Sequence, residues 1–223
     1  MTPSSLRAEI QNLLDLLRNE DVAIYANPVV KRDAKGGMTR VTWGSPMGAA
    51  SGALFREDFA TLDAYQNWFR AEAYSAVLYD GSILQLSYDF EGDQFMGHRL
   101  AYHPCPFNVD RELLRTEPLL DVIELYRENE MSTVQLRSPL RFDCDLRNQA
   151  EDHPTAHMTV LSSGCRWAVV APLSPGHFVR FLFKHFYPPL WSTLPFVREW
   201  PQRLGGRTIT SEQESILHIA CSR

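Results

Sequence analysis

Apolar residues recur along the chain with periods that separate helices from strands. In residues 2–20 leucine and isoleucine follow helical spacing, which predicts an amphipathic N-terminal helix. Thr2 can cap its first turn, and Pro3 suits the first helical position because that position needs no backbone donor. Residues 22–31 and 39–43 are rich in β-branched and aromatic side chains. They predict two early strands.

The clearest strand pattern lies further along the chain. Two apolar stretches, 74–79 and 82–90, flank Asp80 and Gly81, an arrangement typical of a β-hairpin with a type I′ turn. Every second residue of the second stretch is apolar, so we expect an antiparallel strand with one buried face and one polar face. Residues 95–103 would add a third strand to the same meander.

Capping residues and prolines mark the helices that follow. Asp58 is expected to cap a short amphipathic helix, and Pro118 is expected to separate two others. Ser174 would cap a further helix that ends before Pro188.

The remaining apolar stretches complete a sheet. Residues 140–146, 157–161 and 165–171 predict three more strands, and residues 216–221 a final strand or docked helix. We therefore expect a single α+β domain over residues 1–223, with a mainly antiparallel sheet and helices packed on it. Its parts are an N-terminal helix (2–20), the sheet and helices (22–187) and an aromatic, proline-rich C-terminal segment (188–223).

Composition excludes several classes of protein. The 223 residues are 44% hydrophobic with a net charge of −5, which argues against a disordered chain and against a protein coated with nucleic-acid contacts. No apolar stretch is long enough to span a membrane. With four scattered cysteines and no secretory leader, the chain is expected to be cytoplasmic. No cofactor motif is present, and the oligomeric state is not predicted.

The basic residues are unevenly placed. The chain has 19 arginines and only three lysines, and residues 137–207 carry nine basic residues against five acidic ones. Arginine's planar guanidinium suits phosphate and carboxylate, so this half could bind an anionic ligand. A bias of the genome toward arginine codons would explain the count equally well.

One polar cluster stands out in this basic half. Strand alternation places Arg141, Asp143, Asp145 and Arg147 on one face. His153 lies in the polar loop 148–156 that follows, and His157 begins the next strand. Histidines beside arginines can exchange protons while the cation stabilises a developing negative charge, which is the chemistry of metal-independent phosphodiester cleavage. The candidate catalytic residues are His157, His153 and Arg147, with Asp145 to orient a histidine. The candidate substrate-binding residues are Arg166, Arg141, Arg99 and Thr159.

Two other interpretations of this cluster stay open. The alternating charges could be an ordinary solvated strand face. The same carboxylates and histidines could ligate a metal, since His-x3-His spacing occurs in zinc sites. Cys144 should point away from Asp143, however, and no tight ligand pair is present. We therefore predict no metal.

Longer motifs resemble a known family. The stretch from His153 to Pro188 contains H-P-x-x-H-M-T, C-R-W-A-V and F-V-R-F-L-F-K-H-F-Y-P. With residues 79–82 and 103–106, it is similar to the uncharacterised bacterial domain-of-unknown-function family numbered 2290. No established activity comes with that family. The resemblance implies a small cytosolic bacterial protein.

A fainter resemblance concerns TumE-type toxins of bacterial toxin–antitoxin pairs. The matching positions are 80–82, 141–145 and 153–157. This resemblance implies RNA as the substrate and a toxin–antitoxin or defence locus. We therefore expect an effector or accessory protein that binds or cleaves nucleic acid. The alternative is a non-catalytic subunit that docks on a partner protein encoded nearby, with Trp191, Phe196 and Trp200 as candidate interface anchors.

Overall fold

The described residues form nine strands in one antiparallel sheet, with helices packed against it. This arrangement confirms the predicted α+β class. The structure is a computed structural model that describes residues 1–34, 36–45, 61–129, 134–135, 137–148, 153–160, 164–201 and 205–220. Asp58, the expected helix cap, lies outside these residues, and the helix in this region instead begins after Thr61, whose side chain accepts from the Ala64 N–H.

The strands are ordered β1-β4-β5-β6-β7-β8-β9 across the sheet, and β3 pairs with β5 beside β4 and with β2 on its other side. Their bounds are β1 Ala23–Ala26, β2 Val29–Ala34, β3 Met38–Trp43, β4 Ala76–Leu78, β5 Ile83–Glu91, β6 Gln94–His103, β7 Leu140–Asp145, β8 Ala156–Val160 and β9 Arg166–Ala168. The described helices are α1 Pro3–Asn19, α2 Leu62–Arg70, α3 Arg111–Thr116, α4 Leu119–Glu128, α5 Pro175–Phe186, α6 Pro188–Thr193, α7 Pro195–Glu199 and α8 Ser211–Ser215.

The larger hydrophobic core lies between one face of the sheet and helices α1 and α5. The predicted leucine stripe of α1 is fully buried there, together with Phe178 and Leu182 of α5. The sheet contributes alternate residues of β5 to β8, including Leu86, Leu100 and Phe142. Burial of this apolar area is the main force that holds the two helices on the sheet.

A second hydrophobic cluster covers part of the opposite face. It joins α2, α3 and α4 to Ile83 and Cys105, with Trp68 among its buried members. Because this cluster extends over β5, Gln85 is buried as well, and its amide donates to the carbonyl oxygen of Ala73. The expectation that one face of β5 is solvent-exposed is therefore wrong over this part of the strand.

The hairpin around Asp80 differs from the predicted turn. Gly81 has a φ of 80°, whereas Asp80 is not among the residues with positive φ, so the turn is not type I′. The Gly81 N–H donates to the Leu78 carbonyl, and Gly81 itself adopts the left-handed conformation that closes the loop. Glycine suits that left-handed position because it has no Cβ.

The C-terminal segment is ordered by prolines and by packing on the larger core. Helices α6 and α7 begin at Pro188 and Pro195. Further along, Ile219 forms a parallel bridge with Val169 beside β9. Ile219 lies within the range 216–221 that was expected to form a final strand or a docked helix. None of the helices within the described ranges is long and apolar enough to cross a membrane.

Candidate functional site

The pairing of strands β6 to β9 brings five of the predicted site residues onto one face. Arg99, Asp143 and His157 occupy neighbouring register positions on β6, β7 and β8. The next row, two residues further along these strands, consists of Arg141 on β7, Thr159 on β8 and Arg166 on β9. Because side chains alternate across a strand, every residue in these two rows points away from the larger core.

All residues of these rows except Thr159 line a cavity of about 380 Å³. A cavity of this size is at the lower end of the range typical of small-molecule sites. We call it the arginine pocket and define it by its charged and titratable lining residues on the polar face, namely Arg40, Asp89, Arg99, Arg141, Asp143, Asp145, Arg147, His153, His157 and Arg166.

Asp143 is the central carboxylate of the arginine pocket. Its two oxygens accept from Arg99 Nε at 2.8 Å and from Arg141 Nε at 2.6 Å. Burial alone would raise the pKa of Asp143, but the two guanidinium groups outweigh burial and hold the pKa below its usual value. The carboxylate therefore stays ionised and fixes both arginines in place.

His157 lies beside this carboxylate on the floor of the pocket. Its side chain is 4% exposed, its Nδ1 is 2.9 Å from the Pro154 carbonyl oxygen, and its Nε2 is 3.7 Å from Asp143 Oδ2. A carbonyl only accepts, so Nδ1 carries the proton in the neutral ring. Burial lowers the pKa of His157, and Asp143 offsets part of that effect. Near neutral pH, Nε2 is therefore available to accept a proton.

His153 is the second histidine of the arginine pocket. Its ring centroid lies 4.8 Å from that of His157, edge to face. Its Nδ1 is buried and has no hydrogen-bond partner among the described residues. The two predicted histidines therefore lie together.

Arg166 and Thr159 also have unused hydrogen-bonding atoms. Arg166 Nε and Thr159 Oγ1 are both buried with no hydrogen-bond partner in the described part of the chain, and Thr159 is 0% exposed. Native structures rarely leave buried polar atoms unpaired, since each one costs about 1–3 kcal/mol. Arg166 lines the pocket, so its unpaired Nε indicates a missing ligand or solvent partner there, whereas the predicted substrate-binding residue Thr159 is not part of the lining.

Asp145 and Arg147 lie at the rim and do not have the predicted relation to the histidines. Arg147 Nε donates to Asp145 Oδ1 at 3.0 Å, and Asp145 also accepts from Asn148. The expectation that Asp145 orients a histidine is wrong, because β7 ends at Asp145 and its carboxylate turns to the residues that follow. The carboxylate next to His157 is Asp143.

Another part of the site had no local pattern that could reveal it. Arg40 of β3 donates to both oxygens of Asp89 on β5, at 2.6 and 2.8 Å. These residues are 49 positions apart, and only the pairing of β3 with β5 brings them together.

No group of three or more potential metal ligands occurs among the described residues. Cys144 belongs to the larger core, and burial raises its pKa to about 12. It therefore stays a protonated thiol on the opposite face from Asp143. The metal interpretation gains no support from the described side chains.

The arginine pocket is suited to bind an anion. Five arginines against three aspartates leave a formal charge of +2 within the described lining when the histidines are neutral. Fixed guanidinium groups bind phosphate and carboxylate well because their N–H groups are arranged in a planar fork. The neighbouring histidines could move protons to or from a bound anion.

Comparison with known proteins identifies the family. A search of the curated proteins and a search of the solved structures each found no match. The family model described as "Uncharacterized conserved protein (DUF2290)" matches residues 20–221, a range that includes the whole arginine pocket. The chain therefore belongs to the DUF2290 family of uncharacterized conserved proteins.

Proposed function

We propose that this protein binds RNA and that the arginine pocket holds a phosphate group of the strand. The observation that carries the proposal is the pair of buried, unpartnered polar atoms at the pocket, namely Arg166 Nε and His153 Nδ1. The first belongs to a side chain that only donates hydrogen bonds, and the second belongs to a histidine that donates when its Nδ1 is protonated. Phosphate oxygens are the complementary acceptors.

The charge of the pocket supports a phosphate ligand. Four of the five lining arginines are held in position by Asp143, Asp89 and Asp145, and Arg166 supplies a cation outside these ion pairs. Such pre-positioned cations lose little side-chain freedom when the anion arrives. The acidic residues elsewhere on the chain do not prevent this, since the pocket is locally positive within an overall charge of −5.

The histidines support an additional cleavage step. In RNA, His157 Nε2 would take the proton of a 2′-hydroxyl as that oxygen attacks the adjacent phosphorus. The bond from phosphorus to the 5′-oxygen then breaks, and protonated His153 supplies the proton to the leaving oxygen. The products are a 2′,3′-cyclic phosphate and a 5′-hydroxyl, and Arg141 and Arg166 would stabilise the charge on phosphorus oxygens.

The alternative of a docking subunit receives less support from the described residues. Trp200 is 8% exposed, and Trp191 and Phe196 pack partly buried against the larger core. These three side chains therefore stabilise the fold and do not form an exposed anchor. A partner protein encoded nearby, a toxin–antitoxin or defence context, and a bacterial cytoplasmic setting remain parts of the proposal that rest on the sequence.

Binding is tested by fluorescence anisotropy with a labelled single-stranded RNA of twelve nucleotides. Arg166→Gln should weaken binding about tenfold at low salt, because a charged hydrogen bond to phosphate is lost. Arg70→Gln is the matched control, since Arg70 is an exposed arginine of α2 that does not line the arginine pocket. Equal affinities for the two variants would contradict the proposal.

Cleavage is tested separately with the same RNA and gel analysis of its products. His157→Gln should abolish cleavage while RNA binding is retained, because the glutamine side chain cannot act as a general base. His185→Ala is the control, since His185 is exposed at the end of α5 and outside the pocket. If wild-type protein binds RNA without cleaving it, the binding function stands and the cleavage step is rejected.

A further inference from the structure

The arginine pocket extends across six strands of the sheet. Its lining begins at Arg40 on β3, continues over β5, β6, β7 and β8, and ends at Arg166 on β9. These strands follow one another as hydrogen-bonded neighbours. Neighbouring strands lie about 4.8 Å apart, so the spacings between β3 and β9 add up to about 24 Å. The pocket is therefore a groove that crosses the strands.

Short side chains lie in the middle of this groove. Asp89 of β5 is opposite Gly97 of β6, and Ser87 of β5 is opposite Arg99. Gly97 and Ser87 both belong to the lining. Because glycine has no side chain and serine has a short one, they do not block the way from one end of the groove to the other. A ligand that enters at one end can continue to the other.

Each end of the groove has an arginine donor that the fold does not use. At the β9 end, Arg166 forms no hydrogen bond or ion pair with any described residue. At the β3 end, Arg40 donates to Asp89 through Nε and Nη2, and its Nη1 has no partner in the described part of the chain. Guanidinium N–H groups form charge-assisted hydrogen bonds to phosphate oxygens. The two donors are separated by the width of the groove, which is too far for one phosphate group to reach both.

The depth of the groove favours a single strand over a duplex. On the floor, His157 and Asp143 expose 4% and 12% of their side chains, whereas Arg147 at the rim exposes 48%. An unpaired strand can bend so that its phosphates approach the floor. Base pairing holds the backbone of a duplex in a stiff helix, so a duplex would contact mainly the rim.

We propose that the arginine pocket binds a single-stranded segment of RNA that crosses the sheet from β9 to β3, with one phosphate at Arg166 and a second at Arg40. This inference rests on the proposed RNA-binding function and adds Arg40 as a phosphate-binding residue. Single-strand sites in proteins cover about four nucleotides or more. A groove that crosses six strands has room for such a segment.

The test compares a dinucleotide, which has a single phosphate, with the single-stranded RNA of twelve nucleotides. Each unlabelled RNA competes with the labelled twelve-nucleotide RNA in anisotropy titrations, and the His157→Gln protein is used so that no RNA is cleaved. The dinucleotide is expected at the Arg166 end, where His153 Nδ1 is also without a partner among the described residues. Only the longer strand reaches both ends.

Variants separate the two ends, because a longer strand also offers more phosphates to any single site. In the same background, Arg40→Gln should weaken binding of the twelve-nucleotide RNA about tenfold and leave dinucleotide binding unchanged. Arg166→Gln should weaken binding of both RNAs. Arg40→Gln combined with Asp89→Asn keeps the net charge of the groove and should reproduce the effect of Arg40→Gln. Arg70→Gln is the control and should change neither affinity.

A duplex of the same twelve-nucleotide sequence should bind at least about tenfold more weakly than the single strand. Equal binding of duplex and single strand would overturn the groove inference and leave RNA binding intact. So would an Arg40→Gln variant that affects both RNAs equally or neither of them. If no RNA binds, the proposed function itself fails, and the inference fails with it.

Discussion

The two faces of strands β6, β7 and β8 have opposite chemistry. One face carries Leu100, Phe142 and Met158 into the larger core. The other carries Arg99, Asp143 and His157 into the arginine pocket. The first face is closed by α1 and α5, while the second keeps buried polar atoms without partners.

A pair of adjacent residues shows the same contrast. His98 points to the core side, where its Nε2 accepts from the Leu173 N–H and its Nδ1 donates to the Phe142 carbonyl. Arg99 points to the pocket and donates to Asp143. Both nitrogens of His98 are used within the fold, whereas His153 keeps a buried Nδ1 unused. The difference teaches that burial alone does not mark a functional histidine, and that unused hydrogen-bonding capacity is the more informative property.

The largest effect on stability is expected on the core face. Phe142 is almost fully buried, and its ring packs against Phe181 with centroids 5.3 Å apart. Phe142→Ala should lower the free energy of unfolding by about 3–5 kcal/mol, because it removes apolar contacts and leaves a cavity. Urea denaturation measures this loss. A loss below about 1 kcal/mol would mean that this face is not the main core.

A smaller loss is expected for the central carboxylate of the pocket. Asp143→Asn should lower the free energy of unfolding by about 3 kcal/mol, because the largely buried Arg141 and the partly exposed Arg99 lose their shared counter-charge. Asp145→Asn is the matched control, since its partner Arg147 is half exposed and such pairs contribute at most about 1 kcal/mol. Equal losses in the two variants would show that Asp143 does not organise the pocket.

The core histidine should make stability depend on pH. Burial lowers the pKa of His98 to about 4, below the unfolded value near 6.5, so the unfolded chain binds more protons between these values. The stability that neutral His98 contributes is nearly complete above pH 6.5 and is lost as the pH falls toward 4, by roughly 2.6 kcal/mol at pH 4.5. Urea denaturation should show that the free energy of unfolding differs less between pH 7 and pH 4.5 in His98→Gln than in wild type. The control variant His185→Ala should show the same pH-dependent difference in unfolding free energy as wild type. If His98→Gln also shows the wild-type difference, the pH dependence does not come from His98.

The smallest expected effect on stability is an increase. Thr159→Val should raise the free energy of unfolding by about 1 kcal/mol, because it replaces a fully buried hydroxyl that has no partner with a methyl group of similar size. Thermal denaturation measures this gain. A destabilised Thr159→Val protein would indicate that the hydroxyl has a structural partner.

Sequence patterns predicted those parts of the site that depend on strand alternation. They placed Arg141 and Asp143 on one face and His157 on the adjoining strand, because neighbouring side chains of a strand alternate regardless of the rest of the fold. They failed at the end of β7, where alternation stops and Asp145 and Arg147 turn toward each other. No local pattern indicates where a strand ends to within one residue.

Long-range pairing accounts for the rest of what the sequence could not predict. The contact between Arg40 and Asp89 depends on β3 pairing beside β4 along β5, which leaves no trace in either segment alone. The burial of Gln85 likewise depends on helices α2 to α4 covering part of the second face. In both cases the decisive contacts join residues that only the complete sheet brings together.

The central claim is that the arginine pocket, and no other basic surface, receives the phosphate of RNA. NMR spectroscopy of histidine side chains during titration with the single-stranded twelve-nucleotide RNA tests it directly. The account predicts that the ring signals of His153 and His157 shift and saturate together, while those of His98, His185 and His218 stay in place. Saturable RNA binding with unchanged His153 and His157 signals would contradict it.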